Sequence, residues 1–479
     1  TFDGRIGKAE ENLLQTFDGR IWKAEENLLQ TFDGRIWKAE ENLLQTFDGR
    51  IWKVEENLMK RMLHQEERLE KLVEWKAEEN FKQKLTPYKS GEKIKIVFFF
   101  QIASFWPSWE SFYQKCMNDE RFEVKMILLK DVVNEQVQTK TAKEFLEKNR
   151  INYTDSDDFS LDVYTPHIVV FQTPYDNWHR TFKNSSQNIK SQGYRIVYIP
   201  YGIEISDTEK ARNNHFDTDV VQNSWRIYTF SSEIVKDYKG HCRNASAVKA
   251  LGHPKFDACF HKTQFTLPQT IKENVGSKNI CLWKAHFPDK VIVDGNETLF
   301  TPSIDEYVRF AEEIGNHKDI FFIFMPHPKF YEMCQWIEGA TEKADKLFSL
   351  LEGHSNVYIY NEDDYRPPLF NADFIITDRS AIMVEAGAMG VPIMYMYNAN
   401  FQEPLTSAVK PLIDSYYQGT TSEDMMQFIN QCRNDIDPRK VQREAAFREC
   451  IPYFDGQCGQ RIAEDIIEEL ERSNIRSNK

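Results

Sequence analysis

The amino-acid sequence predicts an α/β protein with two doubly wound domains facing each other across a cleft, preceded by an N-terminal helical coiled-coil stalk. Three observations support this fold class. Near-identical fifteen-residue blocks fill the first sixty residues. From residue 94 onward, short β-rich apolar runs alternate with helical patterns, and a second such series begins near residue 279. Alternation of this kind is typical of parallel sheets covered by helices.

Composition indicates a folded protein and excludes several classes. A chain of 479 residues has room for two or three domains, and 41% hydrophobic with 13% aromatic residues is sufficient for folded cores. The net charge of −14 argues against broad nucleic-acid binding. We therefore expect a folded protein that acts on something other than nucleic acid.

The eight cysteines and the apolar runs bear on compartment and metal binding. No two cysteines form a CxxC pair, and no apolar leader opens the sequence. The longest apolar runs are interrupted by charged or polar residues and are too short to span a bilayer. We expect reduced, mostly buried thiols, no zinc site, no membrane span and a cytoplasmic location, with the inner face of the membrane as an alternative.

The repeats at the start predict a stalk over residues 1–83. Each block resembles TFDGRIWKAEENLLQ, and four apolar positions per fifteen residues give a spacing of 3.75. Because this exceeds the 3.6 residues of an α-helical turn, the apolar stripe favours a right-handed or nearly straight bundle. One helix cannot bury such a stripe alone, so we expect a homo-oligomer, most simply a trimer or tetramer.

Two other interpretations of the repeats remain open. Each block contains a glycine, which costs about 1 kcal/mol in a helix interior, so TFDG is alternatively a turn between short helices. Tryptophans beside the stripe would also suit a helix lying on a membrane surface. The net acidic polar face of each block disfavours anionic lipid.

Residues 84–93, with Pro87 and Gly91, are interpreted as a linker, and residues 94–257 as the N-terminal Rossmann-like domain. The predicted strands of this domain are Ile94–Phe100, Phe122–Leu129, His167–Gln172 and Tyr194–Ile199. Helices are predicted near Trp109–Met117 and at Thr141–Asn149.

Residues 258–479 are interpreted as a second Rossmann-like domain that ends in crossover helices. Its predicted strands are Ile280–Trp283, Asp319–Met325, Asn356–Tyr360, Phe374–Thr377 and Val391–Tyr397. Three helices follow, and the last, Arg461–Arg472, is amphipathic and is expected to pack back across the body. The other two are predicted at Met425–Cys432 and Pro438–Arg448.

The stretch NADFIITDRSAIMVEAGAMGVPIMYMY carries the strongest local signal. It predicts a strand, a turn, a helix that Gly390 ends, and a second strand. Asp378 and Ser380 would then lie at the helix N-terminus, where free N–H groups and the macrodipole attract an anion such as phosphate. The alternative is that both residues are only N-caps.

Polar residues follow three strands of the second domain. The run FFIFM leads into His327 and Lys329, and FIIT leads into Asp378, Arg379 and Ser380. Because carboxyl ends of parallel strands meet at one edge, these side chains should face the same crevice. The cations that suit a pyrophosphate there are Lys284, His286, His327, Lys329 and Arg379.

The motifs GHPKFD, LWKAHF, MPHPK and LFNADFIITDRSAIMVEAGAMGVPIMYM, within Val248–Tyr397, resemble the nucleotide-binding half of the CDP-glycerol glycerophosphotransferase family, the teichoic-acid primases and polymerases of GT-B fold. The resemblance implies CDP between the domains, with His327 and Ser380 on its phosphates and Glu385 near the nucleotide or acceptor. It also implies transfer without a metal or other cofactor, the CDP-linked donor being a substrate.

The chain departs from that family at three positions. Ala381 stands where a second serine is usual, and Glu385 where an aspartate is usual. The family also presents a His-Gly pair as general base, whereas this chain has Tyr201-Gly202. A tyrosine with a pKa near 10 is a poor base at neutral pH. The candidate substitutes are His179, His215 and Glu204.

Several aromatic residues after the predicted strands are candidates for stacking on a sugar, and the alternative is that they line the domain core. They are Phe105, Trp106, Trp109, Tyr175 and Trp178. The sequence thus predicts transfer of a phosphopolyol or related group from a CDP-activated donor to a hydroxyl of a cell-surface glycan. Alternatives are a GT-B glycosyltransferase that uses a nucleotide-sugar and a non-catalytic oligomeric scaffold.

Overall fold

The computed structural model describes residues 59–60, 65, 71–72, 75–130, 135–176, 180–293, 295–434 and 436–477. The predicted repeats at 1–58 lie outside these residues, as do Trp178 and His179. Contacts divide the chain into one unit at 1–75 and another at 76–479, and the second unit contains all three sheets. Within the described residues, no helix is both long enough and apolar enough to cross a membrane.

The first sheet is parallel and has seven strands in the order β3-β2-β1-β4-β5-β6-β7. Valine, isoleucine and aromatic residues fill these strands because helices cover both faces of a parallel sheet. The strands are β1 Ile94–Phe100, β2 Phe122–Leu128, β3 Thr154–Asp155, β4 Ile168–Phe171, β5 Arg195–Tyr198, β6 Arg226–Thr229 and β7 Val248–Ala250.

Helices connect these strands. They are α1 Glu110–Met117, α2 Glu135–Lys148, α3 Leu161–Tyr164, α4 Ser186–Ser191, α5 Glu209–Phe216, α6 Asp219–Asn223 and α7 Ile234–His241, with 3₁₀ turns at Ala103–Ser108, Phe182–Asn184, Ala245–Ala247 and Pro254–Gln264.

The second sheet is also parallel and has six strands in the order β12-β11-β8-β13-β14-β15. A separate antiparallel hairpin, β9–β10, follows β8. The strands are β8 Asn279–Ala285, β9 Lys290–Val293, β10 Asn296–Leu299, β11 Ile320–Pro326, β12 Val357–Ile359, β13 Phe374–Thr377, β14 Ile393–Met396 and β15 Tyr417–Gly419.

The helices of the second half begin after residue 268. They are α8 Gln269–Val275, α9 Ile304–Ile314, α10 Phe330–Cys334, α11 Ala340–Gly353, α12 Arg366–Phe370, α13 Ile382–Gly387, α14 Lys410–Asp414, α15 Ser422–Arg433, α16 Lys440–Cys450 and α17 Cys458–Ser477.

The α/β class with parallel sheets is therefore confirmed, and the predicted strands are present. The predicted bounds of β13 match at both ends, and the helix after it ends before Gly390, whose φ of +75° lies in the left-handed region. The hairpin β9–β10, the strand β6 and the short edge strands β3 and β15 were not predicted.

The last helix, α17, packs against the first domain, as its amphipathic pattern predicted. Ile462, Ile466 and Leu470 lie in one buried cluster with Phe98 and Phe112. The start of α17 is held by Asp257, whose carboxylate accepts the N–H groups of Cys458 and Gly459 at 3.0 and 2.8 Å. A carboxylate is stabilising at a helix N-terminus because the first N–H groups have no intrahelical partner.

Each sheet reverses its strand order once, and these reversals position the site. In the second sheet the chain runs from β8 outward through β11 to β12, and then returns to β13 on the other side of β8. Such a switch point leaves a crevice outside the carboxyl ends of the two central strands, which is where open α/β sheets bind ligands.

Candidate functional site

The predicted polar sets of the second domain do meet at one edge. Thr377 of β13 pairs with Lys284 of β8, and Pro326 of β11 pairs with Ala285. The residues that follow these strands therefore surround the switch point, as the parallel-strand argument predicted.

Asp378 lies at this edge but faces inward. Its buried carboxylate accepts the backbone N–H of His286 at 2.7 and 3.0 Å and the hydroxyl of Tyr307 at 2.5 Å. Burial raises the pKa of Asp378 to about 6, although the nearby donors act in the opposite direction. The side chain thus fastens β13 to β8, and it neither caps the following helix nor faces the crevice as a phosphate ligand would.

Lys284 is buried just below the crevice. Its Nζ lies 3.3 Å from the carbonyl oxygen of Ala285. Burial lowers the pKa of Lys284 to about 8, while the charge of Asp378 raises it. In its ammonium form Lys284 would supply a positive charge from beneath the strand ends.

His286 and His327 form a close imidazole pair, with ring centroids 4.8 Å apart. Nδ1 of His286 lies 3.0 Å from the carbonyl oxygen of Phe287, which fixes its proton on Nδ1, because a carbonyl only accepts. Nδ1 of His327 instead accepts the backbone N–H of Lys329 at 3.1 Å. The Lys329 side chain itself is exposed at the rim.

Both imidazoles are neutral at neutral pH. Burial, with the charges of Lys284 and Lys329, lowers the pKa of His327 to about 3, and burial also holds the pKa of His286 well below its ordinary value. The predicted set of five cations is therefore in part a set of proton acceptors. A bound phosphate would raise both pKa values, since an opposite charge favours the imidazolium form.

Arg379 is held by a carboxylate and an aromatic ring of the second domain. Its Nε donates to both carboxylate oxygens of Glu403 at 2.9 Å, and its guanidinium lies 4.5 Å from the ring centroid of Phe300. The positive charge of Arg379 contributes to lowering the pKa of His215, a residue of the first domain. Sequence reasoning missed Glu403, whose only signal was a carboxylate in a loop after a strand.

Ser380 is half-buried beside Arg379. The N-cap position of α13 belongs to Ala381, and no side chain caps this helix. Within the described residues the Ser380 hydroxyl has no hydrogen-bond partner, whereas its carbonyl accepts the N–H of Met383 at 3.0 Å. The interpretation of Asp378 and Ser380 as N-caps is therefore wrong.

The Tyr201-Gly202 pair of the first domain lies against the start of α13. A Cβ placed on Gly202 would lie 3.6 Å from Cβ of Ala381. The Tyr201 ring stacks on Phe105 at 4.0 Å, and its hydroxyl lies 3.2 Å from that of Tyr175. Burial raises the pKa of Tyr201, so an even smaller fraction of this hydroxyl is ionised at neutral pH than in a free tyrosine.

Of the candidate bases, His215 lies on a helix that contacts the second domain. It lies near the end of α5, and Lys210 near the start of the same helix pairs with Asp289 of the second domain at 3.0 Å. Burial, and to a lesser extent Arg379, lowers the pKa of His215 to about 4. His215 is therefore a neutral imidazole at the domain boundary. His179 lies outside the described residues.

Glu204 is enclosed in the first domain. One of its oxygens accepts the hydroxyl of Tyr238 at 2.6 Å, and the other has no partner among the described residues. Burial raises the pKa of Glu204 to about 7. A carboxyl with that pKa titrates near neutrality. However, none of the Glu204 side-chain contacts is with Arg379 or the crevice beside it.

Glu385 is part of a buried interdomain ion pair. Its Oε1 lies 2.9 Å from Nζ of Lys255, and its Oε2 accepts the hydroxyl of Tyr365 at 2.5 Å. Both charged side chains are less than a tenth exposed. The neighbouring His253 is held within the first domain, through a 2.7 Å contact with the carbonyl of Pro200. The predicted catalytic carboxylate is thus fully engaged in holding the two halves together.

The aromatic candidates divide into two groups. Trp106 and Trp109 are 4% and 0% exposed and pack in the core under the first sheet, as the second of the two interpretations predicted. Phe105 and Tyr175 surround Tyr201 next to the cleft.

A cavity of about 250 Å³ opens beside His327 at the ends of β11 and β12. Its lining is mostly apolar and aromatic, with one amide: Pro326, His327, Pro328, Phe330, Tyr331, Phe348 and Asn361. The aromatic residues directly after the HPK run were the signal for this cavity that the sequence analysis did not use. No cluster of His, Cys, Asp and Glu suited to a metal ion occurs among the described residues.

Comparison with known proteins supports the fold. No protein-family model matches the chain, and no curated protein matches it. Solved structures that are similar include S. aureus MnaA with UDP, at 14% identity over 79% of this chain and 97% of that one, with a TM-score of 0.55. The UDP-GlcNAc 2-epimerase of Neisseria meningitidis bound to UDP-GlcNAc has 12% identity, 78% and 100% coverage and a TM-score of 0.54.

A variant of the wall teichoic acid polymerase TagF is also similar, at 12% identity over 89% of this chain and 99% of that one, with a TM-score of 0.52. At these identities the likeness establishes a GT-B-like fold with two parallel-sheet domains.

Proposed function

We propose that this chain is a transferase whose donor is linked to a nucleoside diphosphate held in the cleft between the two sheets. The observation that carries the proposal is the convergence of Lys284, Arg379 and the imidazoles of His286 and His327 at a switch point. The cavity beside His327 is large enough for part of a nucleoside. Phosphates at the edge and a base in the cavity would occupy adjacent positions.

The donor we favour is CDP-activated, and the transferred group is a phosphopolyol such as glycerol phosphate. The acceptor hydroxyl oxygen would form a bond to the β-phosphorus while the bond from that phosphorus to the bridging oxygen breaks. CMP leaves with the bonding electron pair. Arg379 and Lys284 would stabilise the charge that develops on the departing phosphate, and Ser380 would donate a hydrogen bond to it.

His215 is the general base that we assign to this reaction, since it is a neutral imidazole beside Arg379. The pKa of His215 is low while no diphosphate lies beside Arg379, because burial and the charge of Arg379 both oppose protonation. A bound diphosphate would offset that charge and raise the pKa of His215 toward a useful range. The base would therefore become effective once the donor is bound.

The acceptor that we propose is a cell-surface glycan, and the Phe105–Tyr201 stack beside the cleft offers aromatic rings for a sugar. We further propose that the fifteen-residue repeats assemble several chains, so that clustered sites act on one polymer at the inner face of the membrane.

A second candidate is glycosyl transfer from a uridine-linked sugar, in which the acceptor attacks carbon and a nucleoside diphosphate leaves. Tyr201 favours glycosyl transfer. The glycerophosphotransferase family that the sequence resembles has a histidine base at this position, and this chain has a tyrosine instead. Structural neighbours crystallised with UDP or UDP-GlcNAc are consistent with this alternative.

Titration calorimetry of the full chain with CMP, CDP, UDP and GDP tests the proposal. We expect selective binding of CDP, with loss of about tenfold or more in Arg379→Ala because a charge-assisted contact is removed, and a smaller loss in Ser380→Ala. Preference for UDP would move the assignment to glycosyl transfer. Absence of nucleotide binding would favour a non-catalytic scaffold.

A further inference from the structure

Residues 403–407 form a strap that touches both domains. At its start, the Glu403 carboxylate accepts Nε of Arg379 through both oxygens. The next residues pair with 204–207 of the first domain. There the Thr406 N–H donates to the carbonyl of Ile205 at 2.8 Å, and the Asp207 N–H donates to the carbonyl of Pro404 at 2.8 Å.

The strap has a side-chain contact and a bridge as well. The Thr406 hydroxyl donates to the carbonyl of Glu204 at 3.0 Å, and Ser206 and Leu405 form an antiparallel bridge. These backbone hydrogen bonds between 404–406 and 205–207 begin at the residue directly after Glu403. A shift of the first domain would therefore move the carboxylate that holds Arg379.

Arg379 is restrained on two sides, which leaves its terminal nitrogens for a ligand. Nε is used by Glu403, and the Phe300 ring covers one face of the guanidinium. Among the described residues no acceptor bonds the two terminal nitrogens. The charge of Arg379 contributes to lowering the pKa of His215 in the first domain and of His286 in the second.

We propose that Glu403 is a positioning residue that couples the contact between the domains to the orientation of Arg379, and thereby to recognition of a diphosphate. Glu403 is 3% exposed and is therefore not itself accessible to a ligand. The diphosphate part of this inference rests on the proposed function, whereas the coupling through the strap does not.

The first test measures binding of CDP and of cytidine by calorimetry in wild type and Glu403→Gln. Glutamine keeps the shape but loses the charge and one acceptor oxygen, so Arg379 is held less firmly. We expect CDP affinity to fall about tenfold, as for loss of one charge-assisted contact, while cytidine affinity is unchanged. An equal loss for both ligands, or no loss for CDP, would overturn the positioning role.

A double-mutant cycle separates this role from general destabilisation. Because Glu403 acts through Arg379, adding Glu403→Gln to Arg379→Ala should weaken CDP binding no further. Additive losses would show that Glu403 acts by another route.

The coupling itself is measured without any ligand, by hydrogen exchange of peptides covering 204–208 and 403–408. We expect Arg379→Ala to speed exchange of the Thr406 and Asp207 amides about tenfold, because the strap loses one of its anchors. The control is Lys410→Ala, which removes an exposed ion pair with Asp414 outside the strap. Unchanged exchange in both peptides would refute the coupling.

These experiments distinguish failure of the proposed function from failure of the positioning role of Glu403. If wild type binds neither CDP nor UDP, the proposed function is wrong, and the exchange experiment alone decides whether Arg379 and the strap are coupled. If CDP binds and Glu403→Gln has no effect, only the positioning role is wrong.

Discussion

Replacing Lys255 by methionine should destabilise the protein by about 3 kcal/mol. The ammonium lies 2.9 Å from Glu385, and both side chains are less than a tenth exposed, so the variant leaves a buried carboxylate without its cation. Breaking a buried pair by removing one partner costs about 3–5 kcal/mol. The Tyr365 hydroxyl, 2.5 Å from the other carboxylate oxygen, still donates to it, which places the expected cost at the lower end.

Urea unfolding followed by tryptophan fluorescence and circular dichroism measures this change. The matched control is Lys410→Met, which breaks a lysine–aspartate pair whose side chains are 57% and 50% exposed. An exposed helical pair contributes about 0.3–0.5 kcal/mol, so the control should hardly shift the midpoint. A loss below about 1 kcal/mol for Lys255→Met would equal a surface pair and would refute the reasoning.

The double variant Lys255→Met/Glu385→Leu tests whether Glu385 only joins the two domains or also binds the nucleotide. Replacing a whole buried pair by apolar residues is often neutral, so most of the stability should return. If Glu385 only joins the domains, this variant should also bind CDP as wild type does. A folded double variant that no longer binds CDP would return Glu385 to the nucleotide site.

Three further predictions concern protons and packing. CDP binding at pH 6 should be accompanied by proton uptake, because the pKa of His327 is about 3 without a bound phosphate and should rise when one binds. Calorimetry in buffers of different ionisation enthalpy measures this uptake. We expect His327→Asn to reduce it. Burial lowers the pKa of His253 in the folded protein to about 3, below its unfolded value. Its contribution to stability is therefore complete above pH 6.5 and is lost as pH falls toward 3. In His253→Asn, the slope of the unfolding free energy against pH in this range should be smaller by about 1.4 kcal/mol per pH unit. Trp109→Ala should cost about 3–5 kcal/mol in urea unfolding, because this fully buried ring packs on Phe98 in the core, and a cost below about 1 kcal/mol would contradict the core assignment.

The sequence predicted the features that follow from backbone rules. Strands of a parallel sheet end at one edge, so the placement of His327, Arg379 and Lys284 around one crevice followed from periodicity alone. The bounds of β13 were also predicted, because a polar turn and a glycine flank a short β-rich run. These inferences need no knowledge of tertiary contacts.

The sequence did not predict which polar side chains face inward. Asp378 and Ser380 occupy the same turn, yet the Asp378 carboxylate turns toward Tyr307, which is 71 positions away along the chain. Glu385 meets Lys255 across 130 positions. Local spacing carries no information on such partners, so side chains that stabilise the fold had the same sequence signature as side chains that bind a ligand.

The proposed base follows from comparing three candidates in the structure. Tyr201 is ruled out by a pKa that burial raises further, and Glu204 by an enclosed position in which Tyr238 occupies one oxygen. Of the candidates that the structure describes, His215 remains, with a pKa of about 4 because burial and the charge of Arg379 both oppose its protonation. A bound diphosphate would remove the second of these effects. Under the proposed function, the histidine would therefore become a competent proton acceptor only when a donor is present, and an acceptor hydroxyl would not be activated in its absence.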